Sequence, residues 1–350
     1  MEALLARARS GARLGVDEIA ALMALEGADQ QRLYDVADEI RRRTMGDGVH
    51  LRGIIEFSNI CRMDCHYCGI RRSNRTIERY RMAPEVIVAT AVRAADLGYG
   101  SVVLQSGEGD ALKVDELCEA IRGIKAQTHL AVTLSVGERT REEYAAWKQA
   151  GADRFLLRHE TSDPELFARI RPGRQLKDRI QCLLWLRELG YQVGSGFMVG
   201  LPGQSLRSIA ADVDLLRELH VEMAGIGPFI PAPNTPLANE TGGTADLCLK
   251  AVACTRIAIP DAHLPATTAL GSIHPRGRQL ALNAGANVIM PNVTPASFRD
   301  NYQLYPNKIC LREEPEHCAP CVTALIYGEG RFLSPGPGHS PRIEPLPITD

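Results

Sequence analysis

Eight short apolar runs recur along this 350-residue chain, and stretches with helical spacing separate most of them. This alternation predicts parallel strands joined by helical crossovers, and eight such strands close a barrel. An open doubly wound sheet is the alternative, but no G-x-G-x-x-G follows the first run. The predicted fold class is therefore α/β, a (βα)8 TIM-type barrel. The runs occupy residues 53–58, 101–105, 131–136, 154–159, 192–199, 223–229, 264–270 and 287–290.

The predicted barrel spans residues 51–300 and leaves a segment at each end of the chain. Residues 1–50 are predicted to be an N-terminal helical extension, with helices at 16–26 and 30–43. We expect this extension to plug the bottom of the barrel or to pack against its side. Residues 301–350 are predicted to be a C-terminal segment that carries a group of three cysteines and a proline-rich tail.

Local signals predict where several elements end. Glycine closes three helical stretches, at positions 98, 151 and 190, where it supplies a left-handed cap. Residues 167–189 read as one continuous helix. The tail from Leu333 is predicted to be extended or disordered. Its prolines are Pro335, Pro337, Pro341, Pro345 and Pro347.

Composition argues against several classes of protein. Forty basic residues face 42 acidic ones, for a formal net charge of −2, so no strongly basic face for nucleic acid is expected. Aromatic residues make up only 5% of the chain, which disfavours a base-stacking platform. Prolines and asparagines interrupt the uncharged stretches, and the N-terminus has no apolar signal segment. We therefore expect a cytoplasmic protein without a membrane span.

Three cysteines directly follow the first apolar run. Cys61, Cys65 and Cys68 fall on the first βα loop, at the end of a barrel where active sites lie. An iron–sulfur cubane normally takes four thiolates. Three thiolates can hold a 4Fe-4S cluster and leave one iron open to bind and reduce a small molecule. A zinc site, to which His66 would contribute, and a chance grouping are the alternatives.

The C-x3-C-x2-C spacing resembles the signature of the radical S-adenosylmethionine (SAM) superfamily. This resemblance implies that the open iron chelates the amino and carboxylate groups of SAM. An electron from the cluster, supplied by a low-potential donor, then cleaves the sulfonium and releases a 5′-deoxyadenosyl radical. Tyr67 corresponds to an aromatic residue near the adenine, although it reads equally well as a packed aromatic under the loop.

Longer stretches resemble one family within that superfamily, the FeFe-hydrogenase maturase HydE. The resemblance extends from about residue 15 to residue 325, and methylornithine synthase and biotin synthase match fewer of the stretches. The stretches are IIEFSNIC at 54–61, YCGIRRSN at 67–74, RYRM at 79–82, VLQSGE at 103–108, RHET at 158–161, MVGLPGQ at 198–204, GIGPFIP at 225–231, PATTA at 265–269 and GANVIMP at 285–291.

The resemblance to HydE implies a substrate and partners. The substrate would be a small organometallic iron complex, a cysteine-bound Fe(CO)2CN precursor delivered by the maturase HydG. The deoxyadenosyl radical would attack its cysteine sulfur, and HydF would be a further partner maturase. An amino-acid mutase resembling methylornithine synthase and a biotin synthase-like enzyme remain alternatives, as does a non-catalytic scaffold that hands iron–sulfur units to hydrogenase.

Polar residues at the ends of the runs supply a candidate SAM site. Gln105, Ser106 and Glu108 close the second run and have polar groups able to grip an amino-acid head. By resemblance, this loop contacts the methionine amino group of SAM, and Glu160 and Arg179 also contact SAM. A structural turn and a structural ion pair are the respective alternatives. The predicted cofactor-binding residues are Tyr67, Gln105, Ser106, Glu108, Ser135, Arg158, Glu160, Arg179 and Met198.

Small polar residues within the runs predict a hydrated or ligand-holding barrel interior, because inward positions are normally branched and apolar. Ser195 is one of these polar residues. Met198 and Met290 would add polarisable walls, Arg154 a positive charge, and the two tyrosines of the YQLY segment a cap that excludes water. The predicted substrate-binding residues are Thr133, Arg154, Thr267, Thr268, Met290, Tyr302 and Tyr305.

A second group of cysteines, Cys310, Cys318 and Cys321, follows the last run. It resembles the accessory cluster site found in some HydE proteins. A 2Fe-2S or 4Fe-4S cluster, zinc and no metal are the three interpretations. His317 is one possible source of a fourth ligand. We expect this site to be peripheral to SAM cleavage.

Overall fold

Eight parallel strands form a nearly closed barrel in the computed structural model, which describes residues 2–342. The barrel strands are β1 Gly48–Ser58, β2 Ser101–Ser106, β3 Ala131–Ser135, β4 Arg154–Leu156, β5 Gln192–Val199, β6 Met223–Pro228, β7 Pro265–Ala266 and β8 Val288–Ile289. A further short strand, β9 Phe332–Leu333, pairs with the first residues of β1 outside this series. The helices are α1 Glu2–Ser10, α2 Val16–Met23, α3 Gly27–Met45, α4 Pro84–Asp96, α5 Val114–Gln127, α6 Arg141–Gln149, α7 Pro164–Ile170, α8 Leu176–Glu188, α9 Leu206–Glu218, α10 Ala245–Ala258, α11 Thr268–Ile273, α12 Gly277–Asn283, α13 Ala296–Arg299 and α14 Pro315–Gly328.

The strand order confirms the predicted barrel. Strands pair in the order β6-β5-β4-β3-β2-β1-β8-β7, and a parallel bridge between Met223 and His263 brings the two ends of this series together. Alternate residues of each strand face the interior or the helices. On β1, for example, Ile55 and Phe57 belong to the apolar core under the helices, which leaves Glu56 on the inward face. The last residues of the strands therefore meet at one end of the barrel, the carboxyl end.

Two predicted strands are largely replaced by other structure. The runs at 264–270 and 287–290 contribute only two strand residues each. Thr267 ends the first of these strands because its hydroxyl accepts a hydrogen bond from the Leu270 N–H at 3.3 Å and caps α11. The fourth run is also shorter than predicted, since β4 stops at Leu156.

The helix predicted at 167–189 is two helices, α7 and α8. Pro172 has no N–H to continue a helix, and it disfavours helical backbone at the residue before it. Arg171 accordingly leaves the helix with φ −126° and ψ 73°. The break directs Arg171 toward the carboxyl end of the barrel. The predicted glycine caps are confirmed, since Gly98, Gly151 and Gly190 all have positive φ.

The N-terminal helices pack against the side of the barrel. Helix α2 lies on α9, and α3 lies on α10. Leu33 and Ile40 of α3 are buried in the same apolar core as Ile257 of α10. The other expectation is that this extension plugs the bottom of the barrel. The C-terminal tail closes the bottom instead.

Residues 334–342 close the amino end of the barrel. Arg154 Nη2 donates to the Pro337 carbonyl at 2.6 Å, and Arg52 Nη2 donates to the Gly338 carbonyl at 3.2 Å. Between β9 and residue 342 the tail has no helix or strand, yet these hydrogen bonds hold it in place. Pro345 and Pro347 lie outside the described residues. Among residues 2–342, no helix has both the length and the apolar character to cross a membrane.

Candidate active site

The three cysteines after β1 line one cavity at the carboxyl end of the barrel. Cys61, Cys65 and Cys68 contribute to its wall, and its volume is about 250 Å³. Burial raises the pKa of all three thiols. Thiols with raised pKa stay protonated at neutral pH, whereas a coordinated metal deprotonates them. Without a metal these three thiols therefore keep their protons, and a bound metal cluster would displace them.

Arg79 holds the cysteine loop in shape. Its guanidinium donates to the carbonyls of Asn59 at 2.6 Å and Ile70 at 2.8 Å, and to those of Arg71 at 2.6 Å and Asn74 at 3.1 Å. One side chain thus donates hydrogen bonds to four carbonyls of an irregular loop. Buried backbone carbonyls need such partners. This contact explains one residue of the RYRM stretch that the sequence alone left without a role.

The loop after β2 packs directly on the cysteine loop. Gln105, Ser106 and Glu108 all line the cavity. Gly107 approaches so closely that a Cβ there would lie 2.4 Å from the Ile60 carbonyl oxygen and 2.8 Å from the Cys61 Cβ. Glycine is thus required for the contact between the two loops.

Two buried carboxylates pair with three arginines beside the cavity, and two of the arginines, Arg171 and Arg179, are buried as well. Glu108 Oε2 lies 3.2 Å from Arg171 Nη2 and 3.1 Å from Arg179 Nη1. Glu138 Oε1 lies 3.0 Å from Arg179 Nη1 and 3.6 Å from Arg171 Nη2, and Arg174 also pairs with Glu138. Burial raises the pKa of Glu108, but Arg179 and Arg171 outweigh that effect, so the pKa lies below its usual value. Glu108 is therefore ionised at neutral pH.

Glu108 keeps one oxygen free. Its Oε1 is buried and has no hydrogen-bond partner within the described structure. The side chain passes close to Gly137, where φ is +79° and a Cβ would lie 2.2 Å from the Glu108 Cγ. A buried carboxylate oxygen without a partner costs stability, and a ligand ammonium or hydroxyl would satisfy it.

The chain after β4 presents Arg158 and Glu160 to the cavity. Glu160 has φ +69°, in the left-handed region that few non-glycine residues occupy. Arg158 Nη2 and Glu160 Oε2 lie 3.3 Å apart, but neither atom forms a hydrogen bond within residues 2–342. The pair therefore has a donor and an acceptor available for a ligand.

The structure brings most of the predicted site residues to this one cavity. Tyr302 and Tyr305 reach it from the loop after α13, and Thr267 from the end of β7. The predicted residues that line the cavity are Cys61, Cys65, Tyr67, Cys68, Gln105, Ser106, Glu108, Ser135, Arg158, Glu160, Arg179, Met198, Thr267, Tyr302 and Tyr305.

Four predicted substrate-binding residues lie elsewhere. Thr133 and Met290 line a separate chamber of about 20 Å³ deeper in the barrel. Thr268 begins helix α11. Arg154, the first residue of β4, lies at the amino end among the tail residues, so the expectation that it lines the substrate cavity is wrong.

Ser195 also differs from its expected place inside the barrel. Its hydroxyl donates to the Leu157 carbonyl and lies beside His159, behind the strands.

Sequence reasoning missed Arg171, which lines the cavity and pairs with Glu108. The available signal was the Pro172-Gly173 pair, which breaks the predicted helix just after this arginine. Met63 and Phe229 line the cavity as well. Both are apolar, and nothing in their local pattern distinguishes them from core residues.

The second group of cysteines lies outside this cavity. Cys318 and Cys321 are one turn apart on α14, and Cys310 precedes the helix with φ +61°. Burial and the neighbouring Cys310 raise the pKa of Cys318 to about 11. Within residues 2–342, no three His, Cys, Asp or Glu side chains converge as ligands of a single metal ion.

Comparison with known proteins defines the family. The model of the radical SAM superfamily matches residues 55–216. The chain is 53% identical over 301 residues to the [FeFe] hydrogenase maturase subunit HydE of Thermotoga maritima, and the match covers 86% of each chain. This protein belongs to the radical SAM superfamily and, within it, to the HydE family.

More distant relatives share the fold. The 3-methylornithine synthase of Methanosarcina acetivorans is 29% identical, over 80% of this chain and 79% of that one. A crystal structure of methylornithine synthase superposes with a TM-score of 0.83 at 24% identity, covering 95% of this chain and 97% of the other. That superposition supports the (βα)8 barrel. The HydE relative is thus much closer in sequence than the methylornithine synthases.

Proposed function

We propose that this protein is a HydE-type radical SAM enzyme that helps to assemble the active-site cluster of FeFe-hydrogenase. Its identity of 53% to the HydE subunit, maintained over most of both chains, carries the proposal. Such enzymes act through a 4Fe-4S cluster and SAM, and the cavity lined by Cys61, Cys65 and Cys68 is where we place both.

The residues of the cavity fit these two groups. Three thiols on one wall supply ligands for three irons. Opposite charges are also available: Glu108 Oε1 and Glu160 Oε2 are free acceptors, and Arg158 Nε is a free donor within the described residues. These atoms suit the ammonium, hydroxyl and carboxylate groups of SAM. When bound, the reduced cluster would supply the electron that cleaves SAM to a 5′-deoxyadenosyl radical.

We place the substrate in the same cavity, on the side of Thr267, Tyr302 and Tyr305. Burial raises the pKa of both tyrosines, so their hydroxyls remain protonated and able to donate hydrogen bonds. Donors in a site shielded from water bind an anion more strongly than they would in bulk solvent. An anionic, cysteine-bound Fe(CO)2CN complex suits this lining, and by family likeness HydG would supply it.

The remaining expectations follow from the same family. HydF would be a second partner maturase, a low-potential donor would reduce the cluster, and the protein would work in the cytoplasm. For the second cysteine group we propose an accessory 2Fe-2S or 4Fe-4S cluster, with Cys310, Cys318 and Cys321 as its ligands. The separation of this group from the cavity lining supports a peripheral role.

The test uses anaerobically purified protein reduced with dithionite. We expect visible iron–sulfur absorbance, formation of 5′-deoxyadenosine from SAM, and consumption of the cysteine-bound iron complex. Lysine is the comparison substrate, because an amino-acid mutase would consume it instead. A colourless protein, or one that forms no deoxyadenosine, would contradict the proposed radical chemistry. Turnover of lysine but not of the iron complex would favour the mutase.

A further inference from the structure

A buried polar network lies behind the ends of β4 and β5. His159 Nδ1 lies 3.0 Å from Ser195 Oγ, and His159 Nε2 lies 3.4 Å from Asp212 Oδ1. The side chains of all three residues are fully buried. None of them lines the active-site cavity. Whatever this network contributes to the reaction therefore acts through other residues.

Asp212, on α9, joins the segment after β4 to the segment after β5. Its Oδ1 accepts a hydrogen bond from the Ser162 N–H, two residues beyond Glu160. Its Oδ2 accepts from Gln204 Nε2 at 3.2 Å. One buried carboxylate thus holds both segments, and hydrogen bonds to a charged group are the stronger kind.

Gln204, the last residue of the MVGLPGQ stretch, completes the link. Its Nε2 also donates to the Met198 carbonyl at 3.0 Å. Its Oε1 accepts from the N–H groups of Gly200 at 2.8 Å and Leu201 at 3.2 Å. The side chain folds back on its own loop, and so it fixes the backbone that carries Met198, a residue of the cavity wall.

The network surrounds a strained residue of the cavity. Glu160, with φ +69°, donates its N–H to the Gly196 carbonyl at 2.9 Å, and its carbonyl accepts from the Met198 N–H at 3.0 Å. A non-glycine residue keeps such a backbone only when its surroundings enforce it. Two neighbouring residues enforce it. The His159 ring, directly before Glu160, lies 3.4 Å from Asp212 Oδ1, and Ser162, two residues after Glu160, donates its N–H to the same oxygen.

We infer that His159, Asp212 and Gln204 are positioning residues for the SAM site. They set the backbone at Glu160 and Met198, and through it the direction of the two side chains that face the ligand. The inference rests on the proposed function, because it takes SAM as the ligand. It predicts that weakening the network lowers the affinity for SAM more than it lowers the rate of turnover.

Two nearly isosteric variants test the inference. Asp212→Asn replaces an acceptor by a donor, and Gln204→Glu removes the donor to Met198 while placing a second carboxylate beside Asp212. In each variant, we expect KM for SAM to rise about tenfold while kcat falls by less than about threefold. The reason is that these residues lie outside the cavity and affect only how the SAM-binding side chains are oriented. The spectral change of the reduced cluster on titration with SAM should show the same loss of affinity.

The matched control is Glu222→Gln. Glu222 is also a buried carboxylate that accepts a backbone N–H, from Val193 at 2.7 Å, but it lies at the amino end of the barrel. We expect this variant to lose thermal stability while keeping the wild-type KM for SAM.

The possible outcomes separate the two proposals. If the wild-type protein neither binds nor cleaves SAM, the proposed function fails. If the wild type is active but both network variants keep the KM of Glu222→Gln, the positioning role is wrong. Should Asp212→Asn not fold, Gln204→Glu decides alone, since Gln204 is only half-buried and its exchange adds no bulk.

Discussion

Lys308 and Glu56 form a buried ion pair that joins the loop before Cys310 to strand β1. The second carboxylate oxygen of Glu56 accepts from Asn292 Nδ2 at 2.8 Å, and the Lys308 ammonium lies 5.5 Å from the centre of the Tyr302 ring. The pair therefore lies behind the tyrosine that lines the cavity. This electrostatic contact connects the C-terminal segment to the carboxyl end of the barrel, where the cavity lies.

Lys308→Met should destabilise the protein strongly. The change leaves the Glu56 carboxyl buried and without its cation, which costs about 3 to 5 kcal/mol of the free energy of unfolding. The double variant Lys308→Met with Glu56→Gln should recover much of that loss, because no buried charge remains. Urea unfolding measures both. Equal stability of the single variant and the wild type would show that the pair contributes nothing.

Glu108→Gln should weaken SAM binding. The variant replaces the charged carboxylate that has a free oxygen toward the cavity, and a hydrogen bond to a charged group is worth enough to change affinity about tenfold to a hundredfold. The measurement is KM for SAM in deoxyadenosine formation under dithionite. Glu138→Gln is the matched control, because Glu138 pairs with the same arginines but does not line the cavity. A similar rise in KM for both variants would assign the effect to the network rather than to ligand contact.

Replacing Cys310, Cys318 and Cys321 together by serine should leave SAM cleavage within about twofold of the wild type, because distant sites act independently. Cys65→Ser should abolish cleavage, since it removes one of the three ligands of the catalytic cluster. Iron content and deoxyadenosine yield, measured on both variants, separate these cases. A triple variant as inactive as Cys65→Ser would place the second group in the reaction.

Much of the fold could be predicted because the barrel depends on a pattern repeated eight times. An error in one run, such as the early end of β4, does not change the count of strands. The break between α7 and α8 was harder to predict, because Arg171 is stabilised outside the helix by Glu108, more than sixty positions earlier in the chain. Such a contact belongs to the folded barrel and leaves no local periodic signal.

The site shows where reasoning from strand ends holds and where it does not. Gln105 and Glu108 lie at the end of a run, and parallel strands bring all such positions to one end of the barrel. Arg154 begins its run, so an inward side chain there lies at the opposite end of the barrel. Thr133 faces inward at mid-strand and reaches a deeper chamber. Distance along the strand, rather than residue type, decides which polar residue meets the cavity.

Histidines at the amino end of the barrel should make the protein less stable in mild acid. Burial lowers the pKa of His50 to about 4, and Arg52 and Arg154 add to the shift. The unfolded chain, with a histidine pKa of about 6.5, then binds more protons between those values. Stability present above about pH 6.5 is therefore lost as the pH falls toward 4, by about 2 kcal/mol at pH 5 for His50 alone. Urea unfolding at about pH 7.5 and about pH 5 measures the drop. His50→Gln should reduce it, while His129→Gln, at an exposed position, should not; an equal drop in all three proteins would contradict the assignment.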